Sequence, residues 1–178
     1  MHAWAHTSTH HRSRELLSSL AGCSDEYVPR YPPCHAGALW NLIKDCTANR
    51  VKFAAAGAIP ALVALLGPKS SDGVRNNALL TLYYLADFNY NNLVVEIVAN
   101  GAIPPLVVLL GPKSSTKVQM NAVRALMQLA NFGNVKCIKL LRSVGVDFAL
   151  RLLIQSTTDE RVRSTAEMVS SMINLIVD

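Results

Sequence analysis

Beyond residue 48 the chain alternates apolar stripes with glycine, proline and serine breaks, and the stripes have the spacing of helices, not of strands. Leu93, Val94, Ile97 and Val98 share one face of a segment from Asn91 to Ala99, which Asn100-Gly101 closes with residues tolerant of positive φ. Pro104 suits the first turn of the next helix, where a missing N–H costs nothing, and Leu106, Val107, Leu109 and Leu110 supply its buried face. Gly111-Pro112 stops it. After Lys113-Ser114-Ser115 a longer helix carries Val118, Ala122, Leu126, Leu129 and Ala130 on one stripe. The pattern predicts a short, a middle and a long helix.

The same plan precedes it, over Val51 to Ala56, Ala58 to Leu66 and Val74 to Ala86, with the stripe Val74, Ala78, Leu82, Leu85 and Ala86. Gly57-Ala-Ile-Pro-Ala-Leu-Val-Ala-Leu-Leu66 returns as Gly101-Ala-Ile-Pro-Pro-Leu-Val-Val-Leu-Leu110, and a worn copy starts at Gly145; each step is 44 residues. A period of roughly 40–47 residues belongs to helical solenoids of two or three helices per unit. Ala78 and Ala122 recur where two helices come closest, since a small side chain permits an approach that Leu would block. In the worn copy Asp147-Phe148 replaces Ile-Pro, and Asp147 is expected to cap the helix N-terminus. The predicted organisation is a disordered tail over 1–12 and a degenerate leading segment, with room for a helix, over 13–35. A partial leading repeat follows over 36–47, then repeats over 48–89, 90–133 and 134–178.

Composition narrows the function. The chain has 178 residues, 51% of them hydrophobic and only 6% aromatic, enough for a helical core built from Ala, Leu, Val and Ile. The net charge is +5, yet the basic residues of the repeats are scattered as Lys69, Arg75, Lys113, Lys117, Arg124 and Lys136. Without a dense basic run, nucleic acid is disfavoured against a protein partner. Cys23, Cys34, Cys46 and Cys137 form neither a Cys-x-x-Cys pair nor a matching Cys/His set, so no cofactor or metal is expected and a reducing, cytoplasmic or nuclear setting is. No apolar run reaches the roughly 18–20 residues that span a bilayer.

Gly-Ala-Ile-Pro-x-Leu-Val-x-Leu-Leu, then Val-x-x-Asn-Ala, then Ala-Leu-x-x-Leu-Ala or Ala-Leu-Trp-Asn-Leu, resembles armadillo repeats over residues 36–178. The Ala-Leu-Trp-Asn-Leu form resembles the armadillo regions of plant and protist proteins, including plant U-box ubiquitin ligases and vacuolar armadillo adaptors. The resemblance implies an all-α, right-handed armadillo-type solenoid whose long third helices line a groove for an extended peptide. It also implies a groove set. Asn41 matches the family asparagine that holds the peptide backbone, and Tyr84, Gln128 and Met172 stand at the corresponding places. Where nuclear-import adaptors carry lysine-slot tryptophans, this chain has Gly37, Leu80, Arg124 and Met168, and Arg124 there would repel a basic import signal.

The expected peptide-groove residues are therefore Asn41, Leu80, Tyr84, Arg124, Gln128, Met168 and Met172, against the plainer reading that they form the solvent side of amphipathic helices. The expected function is a protein-interaction adaptor. Its alternatives are the substrate-recognition part of a ubiquitin-ligase system and a basic nucleic-acid-binding solenoid. No set of nucleophile, base and orienter emerges, so no enzyme is expected. Asp159-Glu160 suit the first turn of a helix, and Ser70, Ser71, Ser114 and Ser115 suit turns; His2, His6 and His10 are spaced by four on a tail that nothing holds helical, and Cys34-His35 alone cannot complete a tetrahedral site. Met172-Ile-Asn-Leu-Ile-Val-Asp178 reads as an apolar open end, which predicts self-association through the C-terminal repeat.

Overall fold

The structure, a computed structural model, describes residues 47–86, 91–132 and 135–175, and every element among them is helical. Three units follow one another. The first holds α1 (Thr47–Ala55), α2 (Ala58–Leu65) and α3 (Asp72–Ala86); the second, α4 (Asn91–Ala99), α5 (Ile103–Leu109) and α6 (Thr116–Phe132); the third, α7 (Val135–Ser143), α8 (Val146–Ser156) and α9 (Glu160–Leu175). The long helices α3, α6 and α9 stack side by side and make the most extensive contacts, so the core is one continuous seam between units. The fold is an all-α armadillo-type solenoid. The tail, the leading segment and nearly all of the partial repeat, including Asn41, lie outside the described residues.

Local chemistry explains the recurrence. Gly57, Gly101 and Gly145 all have φ between 75° and 77°, the left-handed turn that lets a middle helix start at once after a short one. The long helices start two residues before their first apolar residue, at Asp72 and Thr116, because polar turn residues form the first turn. Ser71 Oγ accepts the Val74 N–H at 3.4 Å there. Val118, Ala122 and Leu129 on α6 are at most 1% exposed, as are Val162, Ala166, Val169 and Ile173 on α9.

A second repeating device was invisible as a motif because its residue type changes. Arg75, Gln119 and Arg163 stand 44 residues apart and tie each long helix to the end of the middle helix before it. Arg75 donates to Gly67 O and Pro68 O at 3.3 and 3.1 Å, and Gln119 to Leu110 O and Gly111 O at 3.3 and 3.0 Å. Arg163 donates to Thr157 O at 2.8 Å. Carbonyls left over at the helix C-terminus thereby gain donors.

One expectation about the last unit needs correction. Asp147 caps nothing: α8 opens at Gly145 with no side-chain cap bond, and the Asp147 carboxylate instead accepts Ser170 Oγ–H at 2.6 Å and Asn174 Nδ2–H at 3.0 Å from α9. Arg151 pairs with it at 2.8 Å. The positive-φ glycine had already set the helix start, which freed the carboxylate to reach across. The expected apolar end is seen only in part: Leu175 is 77% exposed, while several positions that are apolar in the inner units are polar on α9. Leu79 and Val123 are fully buried in the inner units, but their counterpart Glu167 is exposed; Leu82 and Leu126 correspond to Ser170, and Ala86 and Ala130 to Asn174. Ile173 turns inward at 0% exposed, and Arg142 donates to its carbonyl at 3.0 and 2.8 Å. Ile176 lies outside the described residues.

Candidate functional site

A long helix in this stack has two of its faces committed. On α6, Val118, Ala122, Ala125 and Leu129 face the core, and Gln119, Val123, Leu126 and Ala130 form a second buried stripe beside it. The remaining face opens on a cleft of about 1000 Å³ shared with α3 and α9. Its floor is apolar and adaptable: Leu80 from α3, Met120 and Met127 from α6, and Met168 from α9. Its charged groups are Lys117 and Arg124 on α6 and Asp159 and Arg161 at the start of α9. Thr116, Asn121 and Thr165 complete the lining.

Several of these side chains are held in place. The Arg124 guanidinium lies over the Tyr83 ring at 4.6 Å, a cation–π contact across the α3–α6 junction, and Tyr83 meets Tyr84 edge to face at 5.1 Å. Asn121 Nδ2 donates to Asn76 Oδ1, a buried bond that fixes the register of α6 on α3. Asp159 accepts the backbone N–H groups of Arg161 and Val162 at 2.9 and 3.3 Å and lies 3.5 Å from the Arg161 guanidinium. Those bonds, the Val162 N–H foremost, hold its carboxyl below the usual carboxylate range. Asp159 thus caps α9, as its sequence position anticipated. A smaller recess of about 360 Å³, with Asp72, Gly73, Asn77 and Ser115 in its lining, shares Lys117 with the cleft.

Leu80, Arg124 and Met168, which repeat at 44-residue spacing, come together in the cleft. Tyr84, Gln128 and Met172, one turn further along, do not line it: Tyr84 and Met172 pack half-buried against the core, and Gln128 is 4% exposed. Asn41 is outside the described residues. Sequence reasoning missed Met120, Met127, Lys117, Arg161 and the Tyr83 platform. The signal was present, because Lys117 and Arg161 are also 44 residues apart, but a single helical face does not reveal which neighbour it meets. Among the described residues no group of His, Cys, Asp and Glu is placed to hold a metal, and no helix is long and apolar enough to cross a membrane.

The Armadillo/beta-catenin-like repeat model matches the chain at residues 46–87 and 91–130. Among solved structures, the designed armadillo repeat protein YIII(Dq)4CqI is similar at 28% identity, with a TM-score of 0.73 over 92% of this chain and 69% of that one. An engineered protein solved by crystallography is also 28% identical, with a TM-score of 0.70 over 79% of this chain and 55% of its own. A further designed armadillo repeat protein, solved in complex with the peptide (KR)4, shares the fold at 21% identity and a TM-score of 0.54, covering 92% of this chain and 86% of that one. No curated protein matches the chain.

Proposed function

We propose, taking the armadillo-type solenoid as premise, that this chain is an interaction adaptor whose cleft between α3, α6 and α9 receives an extended peptide or an extended segment of a partner protein. One observation carries the reading: Leu80, Arg124 and Met168 occupy the same place on successive long helices and line one open cleft of about 1000 Å³. A ladder of equivalent positions repeats along the stack, which suits a ligand that runs along it more than a compact small molecule. The designed protein solved in complex with the peptide (KR)4 has the same fold, which supports a peptide as ligand. Its ligand is basic, and Arg124 argues against a basic ligand here. Of the expected groove set, Leu80, Arg124 and Met168 carry the proposal, and Tyr84, Gln128 and Met172 pack one turn further along the same helices. The setting proposed is the cytoplasm or nucleus, where a reduced cysteine such as Cys137 persists. Burial pushes that thiol up to about 11, which keeps it protonated and inert.

Capture of partners from an extract by the wild type and by Arg124→Glu tests the reading. The variant is expected to lose the main partner while its circular dichroism stays unchanged. Lys69→Glu and Lys113→Glu, which reverse exposed charges on turns away from the cleft, are expected to retain it. Undiminished capture by Arg124→Glu would move the binding site elsewhere.

A further inference from the structure

The cleft combines cations with flexible apolar side chains, and that combination points to a ligand. At the end where α6 and α9 begin, Lys117 and Arg161 stand at equivalent first-turn positions, with Arg124 about two turns further along α6. Three cations face one carboxylate, Asp159, and that carboxylate is engaged by α9 backbone N–H groups and by Arg161. The first turn of α6 contains no acidic residue, so its N-terminal partial charge adds to the positive field. The apolar lining is interleaved with these cations: Met120 stands between Lys117 and Arg124 on α6, Leu80 and Met168 lie level with Arg124 on the flanking helices, and Met127 follows. Thioethers repack around an inserted group and favour aromatic rings at their edge.

We infer, on the premise that the cleft binds an extended peptide, that its ligand is an acidic segment adjoining one bulky aromatic side chain, the carboxylates meeting Lys117, Arg161 and Arg124 and the ring entering the thioether floor. Arg124 is prepared for this contact. Tyr83 covers one face of its guanidinium, which leaves the N–H edge for a carboxylate while the flat face stays desolvated. The rim cations set the charge of the ligand and the rate of its capture, and the aromatic anchor supplies the buried area.

Fluorescence anisotropy with labelled synthetic peptides tests the inference on the full chain. The probes are a peptide of alternating Asp and Ser with one central Phe, its charge reversal with Lys for Asp, and the acidic peptide with Ala for Phe. The acidic Phe peptide is expected to bind about tenfold or more tighter than the Lys peptide, with affinity falling steeply as salt rises. Replacing Phe by Ala is expected to lose about tenfold, and Met168→Ala, at an exposed position, is expected to weaken only the Phe peptide. Equal or tighter binding of the Lys peptide, strengthened further by Arg124→Glu, overturns the ligand class and leaves the peptide cleft standing. No binding of any peptide overturns the inference, and if Arg124→Glu also captures its partners undiminished, the cleft reading falls with it. An oligodeoxythymidine that displaces the acidic peptide as well as the unlabelled peptide does overturns the inference in favour of nucleic acid.

Discussion

The second and third units have the same three helices in the same register, yet they treat the contact between middle and long helix in opposite ways. In the second, Ile103 on α5 and Leu126 on α6 are 1% and 0% exposed within the core. In the third, the same two positions hold Asp147 and Ser170, joined by a hydrogen bond of 2.6 Å. The neighbouring positions change in step, from Val123 to Glu167 and from Ala130 to Asn174. Where another long helix packs alongside, the chain carries hydrocarbon, and where α9 faces outward it carries polar groups that bond one another. The difference teaches that stacking is driven by the apolar second stripe of each long helix, because each unit alone cannot bury it.

Exchanging the two chemistries should break the comparison most severely in the inner unit. Ile103→Asp places a carboxylate in a dry seam without donors and is expected to cost about 4 kcal/mol or more, enough to unfold much of the chain. The mirror change Asp147→Ile is expected to stay within about 1 kcal/mol, since its site is partly open to water. Urea unfolding followed by circular dichroism compares the pair. Comparable losses for both would mean that the two units are not energetically distinct.

Truncation gives the next largest effect. Leu126→Ala leaves a cavity between α6 and its neighbours and is expected to cost about 2–5 kcal/mol, a drop of several degrees or more in Tm. Ser170→Ala, at the equivalent place, removes one hydrogen bond and is expected to cost about 0.5–1.5 kcal/mol. Melting within about 2 °C of wild type for Leu126→Ala would remove it from the seam.

The polar version of the contact should also be the one that responds to acid. Ser170 first, then Asn174 and Arg151, hold the Asp147 carboxyl below its ordinary value, with partial desolvation opposing them. A depressed folded-state pKa gives stability that is fully present above the unfolded value, near pH 4, and is lost as pH falls through the folded value. Asp147→Asn is therefore expected to be less stable than wild type by about 1 kcal/mol at pH 7, with the gap closing below about pH 4. A gap independent of pH would assign the loss to geometry, not charge.

The smallest effect on stability is expected from Glu167→Leu, which restores the inner-unit residue type on the open face. It should change unfolding by less than about 0.5 kcal/mol while promoting concentration-dependent association, measured by light scattering after size exclusion. An unchanged mass for that variant would mean that the second stripe alone does not drive stacking.

How much of this was legible follows from which interactions are local. The 44-residue period, the three helices per unit and the positive-φ glycines could be read directly, because turn chemistry and helical periodicity act over a few residues. So could the inner stripe, since Val118, Ala122 and Leu129 must face whatever core forms. The cleft was legible only in its ladder of Leu80, Arg124 and Met168. Its remaining members became visible when α3, α6 and α9 were set side by side, because Met120, Met127 and Tyr83 look polar-side or core-side according to which helix stands beside them.

The role of Asp147 shows the same limit from the other direction. As a sequence it is an acid near a helix start, and local rules make it a cap. Its partners Ser170 and Asn174 are 23 and 27 residues away, so only the docking of α9 on α8 decides that the carboxylate bonds across helices. Local backbone preference and hydrophobic period determined the units by themselves. Which polar groups meet, and which apolar ones are left to face a ligand, was decided by tertiary packing, because hydrogen bonds and clefts depend on distances between helices that no local pattern specifies.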